Sequence, residues 1–280
     1  MGVSPRTLEF YRLHLGQLLQ FLRGQGIRGL EELSPAHLRA YLSWQKGRGI
    51  APPTLHQKFR SMRTFLRWCQ REGLLEEDPM AKVDAPRLPR MLVRPYSEEE
   101  IGKLLATCDR SLLGLRDRAI ILTLLDRGLR AGELCSLTVQ DLSGELLKVE
   151  GKGQKERLVR LGRTARRAIL AYLKLRRDGE PWLFLGRYGE PLNPNALNQM
   201  LHRRFREAGI QVPKAVHALR HAFTYLAIKG GADLLSLSYI LGHSSLSTTQ
   251  NYLRGFGYED AARSHAHFSP ADSLARRGRG

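Results

Sequence analysis

Residues 216–253 read VHALRHAFTYLAIKGGADLLSLSYILGHSSLSTTQNYL, and three features stand there in order. His217-Ala-Leu-Arg220-His221 comes first, Leu241-Gly242-His243 second, and Tyr252 last, nine positions after His243. His217 and Arg220 are three apart, so a helix brings both to one face. Leu219, Phe223, Leu226 and Ala227 supply the apolar positions that hold such a helix in a core. Gly230-Gly231 ends it, Asp233 caps a second helix over 234–241, and Gly242 closes that one. His243 therefore follows a tight turn at a helix end, and Ser247 caps a further short helix that carries Tyr252. Two imidazoles, a guanidinium and a phenol set around helix ends suit the binding and attack of a phosphate.

The rest of the composition points to a polyanionic partner. Among 280 residues, 45 Lys plus Arg stand against 27 Asp plus Glu, a net charge of +18. That surplus is large for solubility alone and fits nucleic acid. The length suits one large or two medium domains, and 42% hydrophobic content is enough for substantial cores. The longest apolar runs fall far short of a membrane span. The opening residues lack the basic-then-apolar pattern of a signal peptide, and Arg6 occupies the Ser/Thr position of a myristoylation signal. Cys69, Cys108 and Cys135 are odd in number, scattered and on apolar helical faces, which predicts buried reduced thiols. A cytoplasmic location, with no membrane partner, is the expectation.

From the start, helical signals dominate. Ser4-Pro5 opens a helix on which Leu8, Tyr11, Leu15, Leu18, Leu19 and Leu22 recur, until Gly24 and Gly26 stop it. Ser34-Pro35 starts a second, with Leu38, Tyr41 and Leu42 inward. Pro52-Pro53 starts a third, with Leu55, Phe59, Met62, Leu66 and Cys69 inward and Gly73 at its end. Arg60, Arg67 and Arg71 lie on its other side, a solvated face or a phosphate-contacting one. Residues 1–83 thus read as a helical domain. Residues 84–95, with three prolines and three arginines, read as an extended basic connector. Ser97-Glu-Glu-Glu100 is a capping box that opens a second domain over 96–280.

In that domain Leu115 to Leu125 forms an apolar helix running into Asp126-Arg-Gly-Leu-Arg130-Ala-Gly-Glu133-Leu. Residues 145–150 and 156–161 are β-type runs separated by Gly151-Lys152-Gly153-Gln-Lys155, a hairpin with a lysine at its tip. The turn lacks the strand–loop–helix setting and spacing of a P-loop. Residues 163–177 form a basic helix, 182–185 a short strand or buried extended segment, and 194–208 a helix with Leu197, Leu201 and Phe205 inward.

These motifs resemble the tyrosine recombinases, the phage-integrase and Xer-like family. The resemblance covers nearly the whole chain. It matches the family's first box at Gly128, Leu129, Arg130 and Glu133, with Arg127 where Thr is usual, and its hairpin lysine at Lys152, with Lys155 as a neighbour. It also matches His-x-x-Arg at His217 and Arg220, Leu-Gly-His at His243, and the tyrosine at Tyr252. After that tyrosine the chain runs Leu253-Arg-Gly-Phe where the family often has Thr-His-Val. The implied fold is mainly α with a small β-hairpin or sheet: a helical N-terminal core-binding domain and a mixed α+β catalytic domain.

The implied reaction cuts and rejoins DNA strands through a 3′-phosphotyrosine on Tyr252 and a Holliday junction. Arg130 and Arg220 clamp the non-bridging oxygens, Lys152 protonates the leaving 5′ oxygen, His217 assists the tyrosine and His243 donates to the phosphate. No cofactor or metal is implied. His217 and His221 have the i, i+4 spacing of a zinc helix, but Arg220 between them disfavours a dication, and His221 reads as structural. Arg60, Arg67 and Lys155 are candidate DNA contacts. The implied partners are double-stranded DNA with a specific recombination site, a homo- or hetero-tetramer, and a possible partner recombinase or accessory translocase. Phe268 and Leu274 are anchors by which the tail could dock on a neighbour, and no arm-binding domain precedes the helical one. The role is chromosome dimer resolution or mobile-element integration and excision. A type IB topoisomerase-like relaxing enzyme and a catalytically silent DNA-binding protein are the alternatives.

Overall fold

Proline sets where the first helices begin. Pro5, Pro35 and Pro52 each open a helix, where a missing N–H costs nothing because that donor has no intrahelical partner. The computed structural model describes residues 5–88, 96–151 and 156–242. It divides into two units, Met1–Met91 and Leu92–Gly280. The first holds α1 (Pro5–Gly24), α2 (Pro35–Gly47) and α3 (Pro52–Arg71), followed by a 3-10 turn at Pro79–Lys82. None of the described helices is long and apolar enough to cross a membrane.

α3 buries Leu55, Phe59, Met62, Leu66 and Cys69, the stripe its spacing predicts, and leaves Arg60, Arg67 and Arg71 exposed. α1 departs from its predicted stripe. Leu18 and Leu22 are buried, but Leu8 and Leu19 are about half exposed, and His14 is buried instead. The reason is a polar layer between α1 and α3. His14 Nδ1 lies 2.9 Å from Ser61 Oγ, and the buried Lys58 ammonium donates to the Gln17 side chain. Burial, then the facing charge, lowers the pKa of both: Lys58 acts on His14, and Arg48 acts on Lys58.

The second unit holds α4 (Glu98–Ala106), α5 (Leu112–Arg127), α6 (Ala131–Cys135), β1 (Leu142–Ser143), β2 (Leu146–Glu150), β3 (Glu156–Arg160), α7 (Arg163–Leu175), α8 (Pro194–Glu207), α9 (Ala215–Lys229) and α10 (Leu234–Leu241). The capping box at Ser97 and Glu100 forms, with bonds of 3.2 and 2.9 Å. The fold is mostly helical with a three-stranded antiparallel sheet in the order β1-β2-β3. The predicted hairpin is β2 and β3, with Leu147 opposite Val159 and Glu150 opposite Glu156. The short β1 extends it by one strand that the sequence pattern did not show. Leu147, Val149 and Val159 face the core, while Leu158 on the other face is exposed.

α5 is the central element. Its Ala119, Ile120, Ile121 and Leu124 are fully buried, and it packs against α7, α8 and α9. Each large apolar side chain so buried contributes roughly 1.5–3 kcal/mol. Residues 182–185 form a buried extended segment, joined by a bridge from Trp182 to Thr138 and a bond from Leu183 N–H to the Leu137 carbonyl. All three cysteines are free. Cys69 and Cys135 are buried in helices, and burial pushes the Cys135 thiol up to about 12. Cys108 departs from the predicted helical face: it lies in the loop after α4, half-buried.

One buried carboxylate ties α5 to its surroundings. Asp117 is fully buried and accepts from Arg116 Nε and Nη2 at 3.0 and 2.7 Å and from Arg204 Nε at 2.9 Å. Arg116 also donates to the Leu185 carbonyl and Arg204 to that of Thr107. Removing one partner from such a cluster leaves charge uncompensated. Asp117→Ala should therefore cost about 3–5 kcal/mol of unfolding free energy in a denaturant titration. A loss below about 1 kcal/mol, the ceiling for most exposed ion pairs, would refute a structural role for the cluster.

Candidate active site

α5 ends at Gly128, whose φ of 56° is left-handed. A Cβ there would lie 2.6 Å from Phe223 Cδ1 and 2.9 Å from Leu241 Cδ2, so glycine is required on both counts. The chain then turns into α6, with Arg130 at the N-cap position. Arg130 is fixed by Glu133. Its backbone N–H donates to Oε2 and its Nη1 to Oε1, both at 2.8 Å. Glu133 has a second partner on β3: Arg157 donates from Nη1 to Oε1 at 3.1 Å and from Nη2 to Oε2 at 2.9 Å. Burial pushes the Glu133 carboxyl up. The Arg157 hydrogen bond, the Arg130 backbone N–H, the Arg157 charge and the Arg130 side-chain hydrogen bond outweigh that and hold it below the usual range.

The other focus is the C-terminal end of α10, where carbonyls lack intrahelical partners. Three consecutive ones accept from three arginines. Arg157 Nε donates to Ile240 O at 3.0 Å, Arg220 Nη2 to Leu241 O at 2.9 Å, and Arg130 Nη2 to Gly242 O at 3.1 Å. Cations also suit the negative end of a helix dipole. Asp233 caps the other end of α10 through the Ser236 N–H at 2.8 Å, as its position predicts. Gly242 closes the helix at φ 61°, and a Cβ on it would sit 3.2 Å from Arg157 Nη1. The Leu-Gly-His glycine thus leaves room for two guanidinium groups as well as a left-handed turn.

Arg220, on α9, is buried and also donates through Nη1 to the Gly128 carbonyl. His217, one turn earlier, is exposed. Partial desolvation against its neighbours, then the charges of Lys214, Arg220 and Arg130, lower its pKa below 6.5. The shift favours the neutral ring, which has a nitrogen able to accept a proton. Burial lowers His221 as well. Arg130 keeps 41% of its side chain exposed, so donors remain for an arriving anion. Guanidinium groups so placed can grip a phosphodiester by charge-assisted hydrogen bonds.

Arg130, His217 and Arg220 are thus brought together. Lys152, Lys155, His243 and Tyr252 lie outside the described residues, as do Phe268 and Leu274. Arg127, where the resembling box has Thr, donates to Asp126 at 2.9 Å. Arg60 is exposed, and Arg67 is exposed with its Nε 3.6 Å from an Asp78 carboxylate oxygen. Among the described residues no group of three or more His, Cys, Asp or Glu is placed to hold a metal ion. Sequence reasoning missed Arg157. Its signal was register: Arg157 and Val159 share the inward face of β3, so an arginine there points at the core side.

The phage integrase family profile matches residues 96–256, and the phage integrase N-terminal SAM-like domain profile matches residues 1–73. The tyrosine recombinase XerC of Chromohalobacter salexigens is 36% identical over 256 residues, covering 90% of this chain and 86% of that protein. The tyrosine recombinase XerD of Xanthomonas campestris pv. campestris is 37% identical over 268 residues, covering 90% and 82%. Among solved structures, XerH bound to a palindromic difH substrate in a post-cleavage complex superposes with a TM-score of 0.75 at 22% identity, covering 95% of this chain and 80% of that one. A lambda integrase tetramer bound to a Holliday junction gives 0.74 at 18%, covering 91% and 74%. At those identities the structures establish a shared fold.

The coupling between His217 and Arg130 is measurable. In an NMR titration of the free protein His217 should have its midpoint below 6.5. Arg130→Gln removes one of the charges that depress it and should move the midpoint upward. An unmoved midpoint would separate His217 electrostatically from Arg130.

Proposed function

We propose that this chain, which belongs to the phage integrase family and is a tyrosine-type site-specific DNA recombinase, forms a 3′-phosphotyrosine intermediate through Tyr252. The supporting observation is the meeting of Arg130 and Arg220 at the last carbonyls of α10, one residue before His243. Arg130 and Arg220 hold the non-bridging oxygens as charge develops on the phosphorane. Tyr252 attacks phosphorus and the 5′ oxygen leaves, so the phosphodiester bond is exchanged for a phosphotyrosine of similar energy. Lys152 supplies the proton to the 5′ oxygen. Neutral His217 helps remove the tyrosine proton, and His243 donates to a phosphate oxygen. The lowered His217 pKa fixes the sign of the pH dependence: cleavage is lost as pH falls through that pKa and is insensitive to His217 above it.

The helical domain over 1–83 contacts duplex DNA through the exposed faces that carry Arg60 and Arg67, Lys155 adds a contact near the hairpin, and residues 84–95 connect it to the catalytic domain. Four subunits act together at a specific site in cytoplasmic DNA and exchange strands through a Holliday junction, with a second recombinase or a translocase as possible partners. Chromosome dimer resolution and mobile-element integration or excision both use this chemistry. The relaxing-enzyme and silent DNA-binding alternatives are not favoured by relatives named as tyrosine recombinases.

The nucleophile is tested by covalent capture. A pool of nicked random-sequence duplexes incubated with the wild type should yield a denaturation-resistant adduct whose sequence defines the site. Tyr252→Phe keeps the ring and should bind that site but give no adduct. An adduct with the variant would displace Tyr252 from the role.

The proton donor is tested on the captured site. General-acid catalysis typically contributes about 10²–10⁴-fold, so Lys152→Ala should slow cleavage by that order. With sulfur at the 5′-bridging position the leaving group is a thiolate, whose reference pKa of about 8.5 lets it depart unprotonated. That substrate should restore much of the Lys152→Ala rate and little of the Arg130→Ala rate. Rescue of Lys155→Ala instead would move the role to the neighbouring lysine.

A further inference from the structure

Glu133 is shared unequally by two arginines. Arg157 engages both carboxylate oxygens through its two terminal nitrogens, whereas the Arg130 guanidinium reaches one oxygen through a single nitrogen. Arg157 is also the less exposed of the two, at 16% against 41%. Its third nitrogen, Nε, is committed to Ile240 O. Each Arg157 nitrogen therefore makes a hydrogen bond within the protein, while the Arg130 side chain stays partly open to solvent. A carboxylate presents about four lone-pair sites, and Arg157 together with the Arg130 backbone N–H occupies most of them.

We propose that Arg157 is a positioning residue for strand cleavage: by occupying Glu133 and anchoring the Ile240 carbonyl, it keeps the Arg130 guanidinium available to the scissile phosphate. This rests on the recombinase reading above. Without Arg157 the buried carboxylate has one cationic neighbour left within reach on its own element. The favoured arrangement is then a two-pronged Arg130–Glu133 pair, since fork-to-fork pairing is the strongest geometry open to these groups. Such a pair closes the fork that the phosphate needs and cancels the charge that stabilises the transition state. With Arg157 present, the trio of Arg130, Arg157 and Glu133 carries a net positive charge, and Arg130 is held without being consumed. Loss of the Ile240 contact would in addition free the end of α10, whose Gly242 carbonyl orients Arg130.

The test compares Arg157→Gln and Arg157→Lys with the wild type on the captured site, at saturating enzyme and with DNA affinity measured separately. Arg157→Gln should slow formation of the Tyr252 adduct by about 10- to 100-fold, the range for losing hydrogen bonds between charged groups. DNA affinity should stay within a few-fold, because the Arg157 nitrogens are engaged by Glu133 and Ile240 and its side chain is mostly buried. Arg157→Lys restores the charge beside Glu133 without the fork and should fall between. The discriminating substrate carries a neutral methylphosphonate at the scissile position, which draws less on the Arg130 charge; on it the Arg157→Gln deficit should shrink several-fold. Equal deficits on phosphate and methylphosphonate would mean that Arg157 merely supports the sheet, and a wild-type rate on phosphate would mean that it does nothing for cleavage; either overturns the proposal. If Arg157→Gln melts well below the wild type, the Arg157→Lys comparison on the two substrates decides. Absence of any adduct from the wild type would defeat the recombinase reading itself, and this inference with it.

Discussion

Like charges must be gathered to hold a phosphodiester, and they repel one another before it arrives. The Glu133 carboxylate is the constraint that makes the gathering possible here. It fixes Arg130 at the start of α6 through both a backbone and a side-chain hydrogen bond, and it draws β3 in through Arg157. Its desolvation is outweighed by those partners, so it remains ionised in a nearly closed position. The turn at Gly128, the course of β3 and the end of α10 are all arranged around what that carboxylate and its arginines need.

The same device recurs at the scaffold level. Asp117 collects Arg116 and Arg204, and through them the carbonyls of Leu185 and Thr107. The two clusters differ in one respect that fits their tasks. Around Asp117 the two closest arginines are nearly buried. Around Glu133 one arginine is enclosed and the other is left open. A single open guanidinium on an otherwise satisfied cluster presents a donor without leaving a buried group unpaired.

What the sequence disclosed was local. Ser97 with Glu100, Asp233 and Gly242 mark element ends by chemistry that acts within four residues, and those boundaries are where the pattern put them, whereas α5 runs past the predicted 115–125 at both ends, to Gly128 at its C-cap. The buried stripe of α3 was equally plain. α1 was harder, because His14 enters the interior only when Ser61 from α3 meets it, and no periodicity within α1 encodes that partner. Arg157 and the Arg204 arm of the Asp117 cluster escaped for the same reason: the partners are 24 and 87 residues apart in the chain. The short β1 strand exists because Leu142 and Ser143 find a ready edge on β2, and not through any strand signal of their own. For the site, Arg130, His217 and Arg220 were legible as motif positions, but the way their environment differs, one half-open, one exposed and one buried, came from tertiary structure.

The end of α10 gives the free protein something else as well. Peptide carbonyls of Ile240, Leu241 and Gly242 stand where they can accept from Arg157, Arg220 and Arg130. They orient the three guanidinium groups in the free protein, before any anion arrives. In the proposed reaction little reorientation of these groups would be left, and preorganisation of that kind is what lowers a barrier. A helix terminus, usually described as something a protein must tidy away, serves in this molecule as the jig on which three guanidinium groups are set.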